Sequence, residues 1–369
     1  MYLQLCSWDN LLLAYRRASK GKRGHPNVAA FEHRLEDNLL ALQGELQSFT
    51  YRPGPYHSFY IHEPKRRLIS AAPFRDRVAH HALCNLIEPL FERSFVADSY
   101  ANRVGKGTHR ALQRAQDYAR CYPNVLQCDL RQFFPSLDHH ILRGILARKI
   151  QDAGVIWLIE RILESGVGVL SEQYDMVYFP GDDPATGSGQ GLFAALRPRG
   201  LPIGNLTSQF WANVYLNPFD HFVKRQLRCK GYVRYVDDLL LFAGDKPTLW
   251  AWKKAIEARL AGLRLTTHPG AHPRPVSEGF PFLGFTVFPQ KRRLKRRKGI
   301  YYRRKLRALL LAYSRGEMPL DKVTASVQGW VNHARYGNTV GLRKAVLGMT
   351  QVVPLDLVKS KRESRLSSR

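Results

Sequence analysis

Three aspartates carry the first chemical signal in this chain. Asp237 and Asp238 stand side by side inside YVRYVDDLLLFAG, residues 232–244, a run that otherwise favours buried β-structure. A second apolar run, VLQCD at 125–129, also ends in an aspartate, Asp129. The flanks of the pair alternate or run apolar as two strands would, which puts Asp237 and Asp238 at the turn between them. If the strand ending in Asp129 is a neighbour, three carboxylates converge at one end of a sheet. Like charges ~4 Å apart repel by ~4 kcal/mol at an effective dielectric of about 20, so such a group calls for a cation. Hard oxygen donors on short side chains suit Mg²⁺. Two such ions ~4 Å apart can activate a hydroxyl and stabilise a leaving pyrophosphate. The bland alternative is a solvated hairpin turn, with Asp129 capping a helix. Gly181-Asp182-Asp183 is a further aspartate pair, but Pro184 follows it and no apolar strand does. It reads as loop.

The elements that must position these residues are legible from periodicity. Residues 7–48 read as two helices: Ser7 is a plausible N-cap for WDNLLLAYRRA, and Phe31, Leu35, Leu39, Leu42 and Leu46 recur at helical spacing. The basic KGKRGHPN separates them. YRPGPYHSFYIHEPKRRLISAAP is extended with Pro-marked turns, and 76–93 is an amphipathic helix. A helix from 137 to about 149 follows the strand that ends in Asp129. Residues 166–200, rich in Gly, Pro and Asp, form a long loop or hairpin insertion. Helices are expected at 207–224 and at about 247–263. After Gly284 the chain turns basic, with seven basic residues in the eight of KRRLKRRK at 291–298, and the rest to about 349 reads as helices. The final KSKRESRLSSR is a basic tail with a disordered composition.

Composition bounds the partners. The chain has 369 residues, with 57 Lys and Arg against 30 Asp and Glu, a net charge of +27. A balance that basic points to a polyanionic partner, with nucleic acid ahead of an anionic membrane surface. No apolar stretch approaches the ~20 residues that span a bilayer, and the N-terminus lacks the pattern of a signal peptide. Five dispersed cysteines without a CxxC pair fit reduced thiols and a cytoplasmic location. The thirteen histidines include His80-His81 and His139-His140, with no zinc-site spacing.

YVDD, preceded by a strand ending in DLRQFFPS, resembles motifs C and A of reverse transcriptases. The order continues. KRRLISAAPFRDRVAHHAL resembles the fingers motif, SYANRVGKGTHRAL the block after it, and LPIGNLTSQFWANVYLNPFD motif B. FLG at 282–284 is similar to the primer grip of motif E, and GWVNHARYGNT to the thumb. Together these blocks cover residues 65–340. The resemblance implies an α+β right-hand polymerase fold with fingers, a palm of antiparallel sheet plus helices, and a helical thumb. It implies an N-terminal helical extension at 1–60, fingers and insertion at 61–124 and 139–200, palm at 125–138 and 201–288, thumb at 289–350, and a basic tail at 351–369. Among group II intron- and retron-like bacterial reverse transcriptases, the LPIGNLTSQ form, the YFPGDD insertion and the compact thumb resemble diversity-generating retroelement enzymes.

The same resemblance assigns roles. Asp129, Asp237 and Asp238, with the Leu130 carbonyl, would hold two Mg²⁺ ions. Lys65 and Arg67 match residues that grip the triphosphate, and Phe134 matches the steric gate that excludes a ribose 2′-hydroxyl. Gly204 admits close backbone approach, Ile203 stands where more faithful relatives carry glutamine, and Gln209 lies beside the nucleotide pocket. Arg103 would contact template or nucleotide. Lys291, Arg292, Arg293, Lys295, Arg296, Arg297 and Lys298 would track the primer-template backbone. The lysine common in motif D is missing from LTTHPGAHPRPVSEG, leaving His268, His272 or Arg274 as replacements. The implied activity is RNA-directed DNA synthesis from a template-repeat RNA, error-prone at template adenines. The implied partners are template RNA, the cDNA primer-template duplex, dNTPs and a small helical accessory protein, with no membrane. A defence-associated reverse transcriptase and a non-catalytic RNA-binding scaffold are the alternatives.

Overall fold

The computed structural model describes residues 1–62, 66–180, 182 and 197–348, and they form a mixed arrangement of helices and small sheets. The chain divides into two compact units, one of residues 1–107 and 126–273, the other of residues 108–125 and 274–369.

The larger unit opens with four helices, α1 (Tyr2–Leu5), α2 (Trp8–Ser19), α3 (Pro26–His33) and α4 (Leu35–Gln47). Ser7 caps α2 as its sequence suggests, accepting a hydrogen bond from the Asn10 N–H. The second of the two expected helices is broken at Arg34, whose ψ of 51° is not helical. Strands β1 (His57–Ile61) and β2 (Arg67–Ala71) form an antiparallel hairpin. Helix α5 (Phe74–Glu92) follows, and its buried Asp76 accepts from the Tyr51 hydroxyl and the Gly54 N–H, 2.8 Å each. One carboxylate thereby fixes the extended segment ahead of the hairpin.

Strand β3 (Asn124–Asp129) leads into α7 (Phe133–Ser136) and α8 (His139–Ala147), with α6 (Thr108–Cys121) before it in the chain and α9 (Ala153–Ser165) after. Helix α10 (Leu206–His221) is buried on nearly every face, Thr207, Ser208, Asn213 and Asp220 included, as a helix through the middle of a core must be. It continues into a wider turn at Phe222–Gln226. Strands β4 (Gly231–Tyr235) and β5 (Asp238–Ala243) form the second hairpin, and β4, β5 and β3 lie side by side in that order. Helix α11 (Lys246–Ala261) completes the unit, and β6 (Pro273–Pro275) lies where the chain passes to the other.

In the second unit, α6 buries Ala111, Leu112, Ala115 and Ala119. Strands β7 (Phe280–Phe282), β8 (Phe285–Val287) and β9 (Arg292–Leu294) form a meander. Its first turn is two residues, Leu283 and Gly284, both at positive φ. Helices α12 (Arg296–Ser314), α13 (Leu320–Ala334) and α14 (Val340–Leu347) pack around Tyr302 and Trp330, whose rings stack at 4.4 Å. Among the described residues no helix is long and apolar enough to cross a membrane, and all five cysteines are unbridged, with only Cys121 exposed.

Candidate active site

Tyr235 pairs with Asp238, so the turn of the second hairpin consists of Val236 and Asp237 alone. Val236 has φ +56°, a left-handed conformation where glycine is the usual occupant and a β-branched residue is strained. Strain of this kind costs ~1–3 kcal/mol and persists only where the surroundings over-determine it. Two backbone contacts do so here. The Leu130 N–H donates to the Asp237 carbonyl at 3.3 Å, and Arg234 Nη1 donates to the Val236 carbonyl at 3.2 Å.

Strand alternation decides where the carboxylates point. Leu126, Cys128 and Leu130 on one side of β3, and Leu239, Leu241 and Ala243 on one side of β5, join the main hydrophobic core. Asp129 and Asp238 belong to the opposite set on each strand, so they share the face of the sheet turned away from that core. Asp237 lies in the turn, outside the alternation. Among the described residues no three His, Cys, Asp or Glu side chains form a metal-holding group. Asp129 and Asp238 thus lie on one face of neighbouring strands, with Asp237 in the turn that leads into β5. The donor set is all oxygen, which fits a hard divalent cation.

Of the three candidates to replace the motif D lysine, His268 is brought to the site. Its N–H donates to the Asp129 carbonyl at 2.8 Å, and its Nε2 lies 4.0 Å from Asp129 Oδ2. His272 instead turns its ring to the Gly270 carbonyl, 2.8 Å away.

The 201–205 loop is tied to β2. The Ser70 N–H donates to the Ile203 carbonyl at 2.8 Å. Asn205 accepts from the Ala72 N–H at 3.0 Å and donates to the Ser70 and Pro202 carbonyls at 2.9 and 3.0 Å. Gly204 has φ +122°, and a Cβ there would meet Ile69 Cγ2 at 2.9 Å. The requirement for glycine is thus both conformational and steric. Ile203 is half-buried, and Gln209 is exposed on the first turn of α10. The Phe134 carbonyl accepts from the Leu201 N–H at 3.0 Å, and its half-buried ring packs edge-on to Phe133 at 5.4 Å. Arg67 is exposed at the start of β2, while Lys65 lies outside the described residues.

Arg103 is a correction. Its guanidinium donates to Glu92 at 2.8 Å and to the Val96 and Ser99 carbonyls at 2.7 and 2.9 Å, with the side chain only 6% exposed. It holds its own loop in place and does not present itself to a template.

In the second unit Lys291, Arg293, Lys295, Arg296, Arg297 and Lys298 are exposed, and Arg292 is half-buried. The Arg292 backbone is bound to Asn338 through bonds of 2.7 and 3.1 Å. Although Lys298 is exposed overall, the end of its side chain lies along Gly284, where a Cβ would meet its Nζ at 2.8 Å, and partial desolvation there lowers its ammonium pKa.

Sequence reasoning missed Asn205 and the ion pair of Arg234 with Asp220. The signal was present: Arg234 shares a strand face with buried Tyr232, and Asn213 and Asp220 lie seven apart, on one face of α10. Charge on a face that packs inward demands a partner.

A family description, reverse transcriptase (RNA-dependent DNA polymerase), matches residues 61–287. The chain belongs to the reverse transcriptase family. Activity in this family is RNA-directed DNA polymerisation, and Asp129, Ile203, Gly204, Asp237 and Asp238 all fall inside the matched span, while 291–298 lies beyond it. The chain is 26% identical over 309 residues to protein YkfC of Escherichia coli strain K12, covering 72% of this chain and 75% of that protein. It is 27% identical over 198 residues to the group II intron-encoded protein LtrA of Lactococcus lactis subsp. cremoris, covering 53% of this chain and 29% of LtrA. A structure of apo telomerase from Candida tropicalis, truncated from its C-terminal domain, is similar with a TM-score of 0.44 and 11% identity, over 68% of this chain and 59% of that one.

Proposed function

We propose that this reverse transcriptase extends a DNA primer on an RNA template by metal-assisted nucleotidyl transfer at Asp129, Asp237 and Asp238. The observation that carries the reading is the bond from the Leu130 N–H to the Asp237 carbonyl, which joins the end of β3 to the aspartate turn. Two Mg²⁺ ions, when bound, would lower the pKa of the primer 3′-hydroxyl and neutralise charge on the departing pyrophosphate. The three carboxylates and the Leu130 carbonyl are the groups to hold them. Arg67, a planar fork in solvent, suits triphosphate oxygens, with Lys65 beside it in sequence. Gly204 leaves room for template and nucleotide against the backbone, and the Phe134 ring is the barrier to a 2′-hydroxyl. Ile203 and Gln209 flank that pocket. The exposed members of 291–298 neutralise primer-template phosphates. In this reading the larger unit supplies fingers and palm, and the helices of the second supply the thumb.

Primer extension on a defined RNA, with dNTPs and Mg²⁺ or with chelator, tests the reading. Template-dependent cDNA that vanishes with the metal is expected. Failure to extend by a protein that still binds RNA would leave only the scaffold alternative. The finer assignment, mutagenic copying of a template-repeat RNA alongside a helical accessory protein, rests on Ile203 standing where glutamine would fix the template base. Sequencing of the cDNA should find errors concentrated opposite template adenines. An even spread over four bases would favour the defence-associated enzyme instead.

A further inference from the structure

A charged pair with no solvent access on either side reaches the aspartate turn. Arg234 and Asp220 are both 0% exposed. Breaking such a pair is costly, yet replacing both partners by apolar residues is often neutral or stabilising. Stability alone therefore does not account for its presence, and its hydrogen bonds indicate another use.

Arg234 Nε donates to Asp220 Oδ1 at 2.8 Å and Nη2 to Oδ2 at 2.7 Å. Nη1 reaches both Asn213 Oδ1, 3.0 Å, and the Val236 carbonyl, 3.2 Å. Tyr232 donates its hydroxyl to Asp220 Oδ1 at 2.7 Å. The Arg234 backbone is held as well, its N–H on the Asp98 carbonyl at 2.9 Å and its carbonyl accepting the Tyr100 N–H at 3.0 Å. A guanidinium fixed on so many sides has one contact left that bears on chemistry, the carbonyl of the strained Val236.

We infer that Arg234, locked by Asp220 and Asn213 of α10, is a positioning residue that holds Val236 in its left-handed conformation and so aims Asp237. The inference rests on the polymerase reading above. Because α10 begins two residues after Gly204, with Asn205 as its N-cap, the same helix sets the nucleotide loop and the aspartate turn. Lysine cannot substitute, since its three donors radiate from one atom and form no planar fork.

The test compares the parent with Arg234→Lys and with a triple variant, Tyr232→Phe, Asp220→Leu, Arg234→Met, which removes the buried charges and leaves Asn213 its bond to the Ala101 carbonyl. Three readings are taken: amide hydrogen exchange of residues 232–241, Mn²⁺ binding followed by its paramagnetic resonance, and primer extension against Mg²⁺ concentration. Folded variants should exchange the turn amides about tenfold faster, the equivalent of ~1.4 kcal/mol of turn order. Mn²⁺ binding should weaken and half-saturating Mg²⁺ should rise several-fold, with RNA binding unchanged. Should the triple variant fail to fold, Arg234→Lys keeps the charge and gives the same three readings. Parent-like turn exchange and Mn²⁺ binding in a folded variant would overturn the inference. Absence of cDNA synthesis by the parent would instead defeat the polymerase reading, leaving exchange and metal binding to judge Arg234.

Discussion

Asp182 and Asp237 each begin a pair of adjacent aspartates, yet one is buried against an arginine and the other sits in a half-exposed turn. Asp182 is 2% exposed. It accepts from Arg264 Nη1 and Nη2 at 2.9 and 2.5 Å and from the Phe179 N–H at 3.1 Å. Asp237 offers its carbonyl to Leu130 and lies at the end of two strands. What surrounds each pair decides its use. An apolar strand after Asp238 fixes one pair at a sheet end, whereas Arg264, 82 residues from Asp182, holds the Asp182 carboxylate in the interior.

The largest way to break this contrast is to remove that carboxylate. Asp182→Ala leaves the Arg264 guanidinium only the Asp138 carboxylate, 3.7 Å from its Nε, and losing one partner of a buried pair costs up to ~3–5 kcal/mol. Urea unfolding should register that loss, while extension per folded molecule stays near the parent. Unchanged stability with lost extension would mean that the two pairs have exchanged roles.

Much of this was legible in the sequence and some was not, for a physical reason. The hairpin around Asp237, the strand ending in Asp129 and the glycine at 204 are local patterns, set by apolar runs and by a φ that other residues avoid. Asn205 owes its role to Ala72 and Ser70, 133 and 135 residues back, Arg234 to α10, 14 and 21 residues back, and Arg103 to a loop that folds around it, so their types were visible but their orientation was not. Arg103 looked like a template contact because a lone arginine gives no sign of the three acceptors that enclose it. The break at Arg34 lies inside a pattern with helical spacing throughout. Asp183 and Lys65 lie outside the described residues.

A second way to sharpen the contrast is pH, because buried groups enter either paired or neutral. The Arg264 guanidinium holds the Asp182 carboxyl below its ordinary range. That stabilisation is complete above the unfolded value near 3.8 and is lost only as pH falls through the lower folded one. Burial lowers His80 as well, down to about 3 from 6.5, and keeps it neutral. The unfolded chain then takes up this proton first, so stability declines as pH drops below 6.5 by ~1.4 kcal/mol per pH unit, or about 2 kcal/mol by pH 5. Melting at pH 7 and pH 5 should show this decline in the parent and a shallower one in His80→Asn. Equal slopes would mean that His80 is not buried neutral.

The smallest effect separates exposed from enclosed arginines. Arg296→Ala and Arg297→Ala should each reduce the slope of log affinity for primer-template against log salt by about 1, the share of one phosphate contact. Arg103→Ala should lower stability and leave that slope alone. A slope altered by Arg103→Ala and untouched by the other two would reverse their assignments.

The most direct test of the account is Mg²⁺-dependent primer extension by Asp237→Asn and Asp182→Asn side by side, scaled to folded protein and with RNA binding measured in the same preparations. Asp237→Asn is expected to bind RNA and melt like the parent but make no cDNA, while Asp182→Asn melts lower and extends at close to the parental rate. Extension by Asp237→Asn at the parental rate would contradict the account.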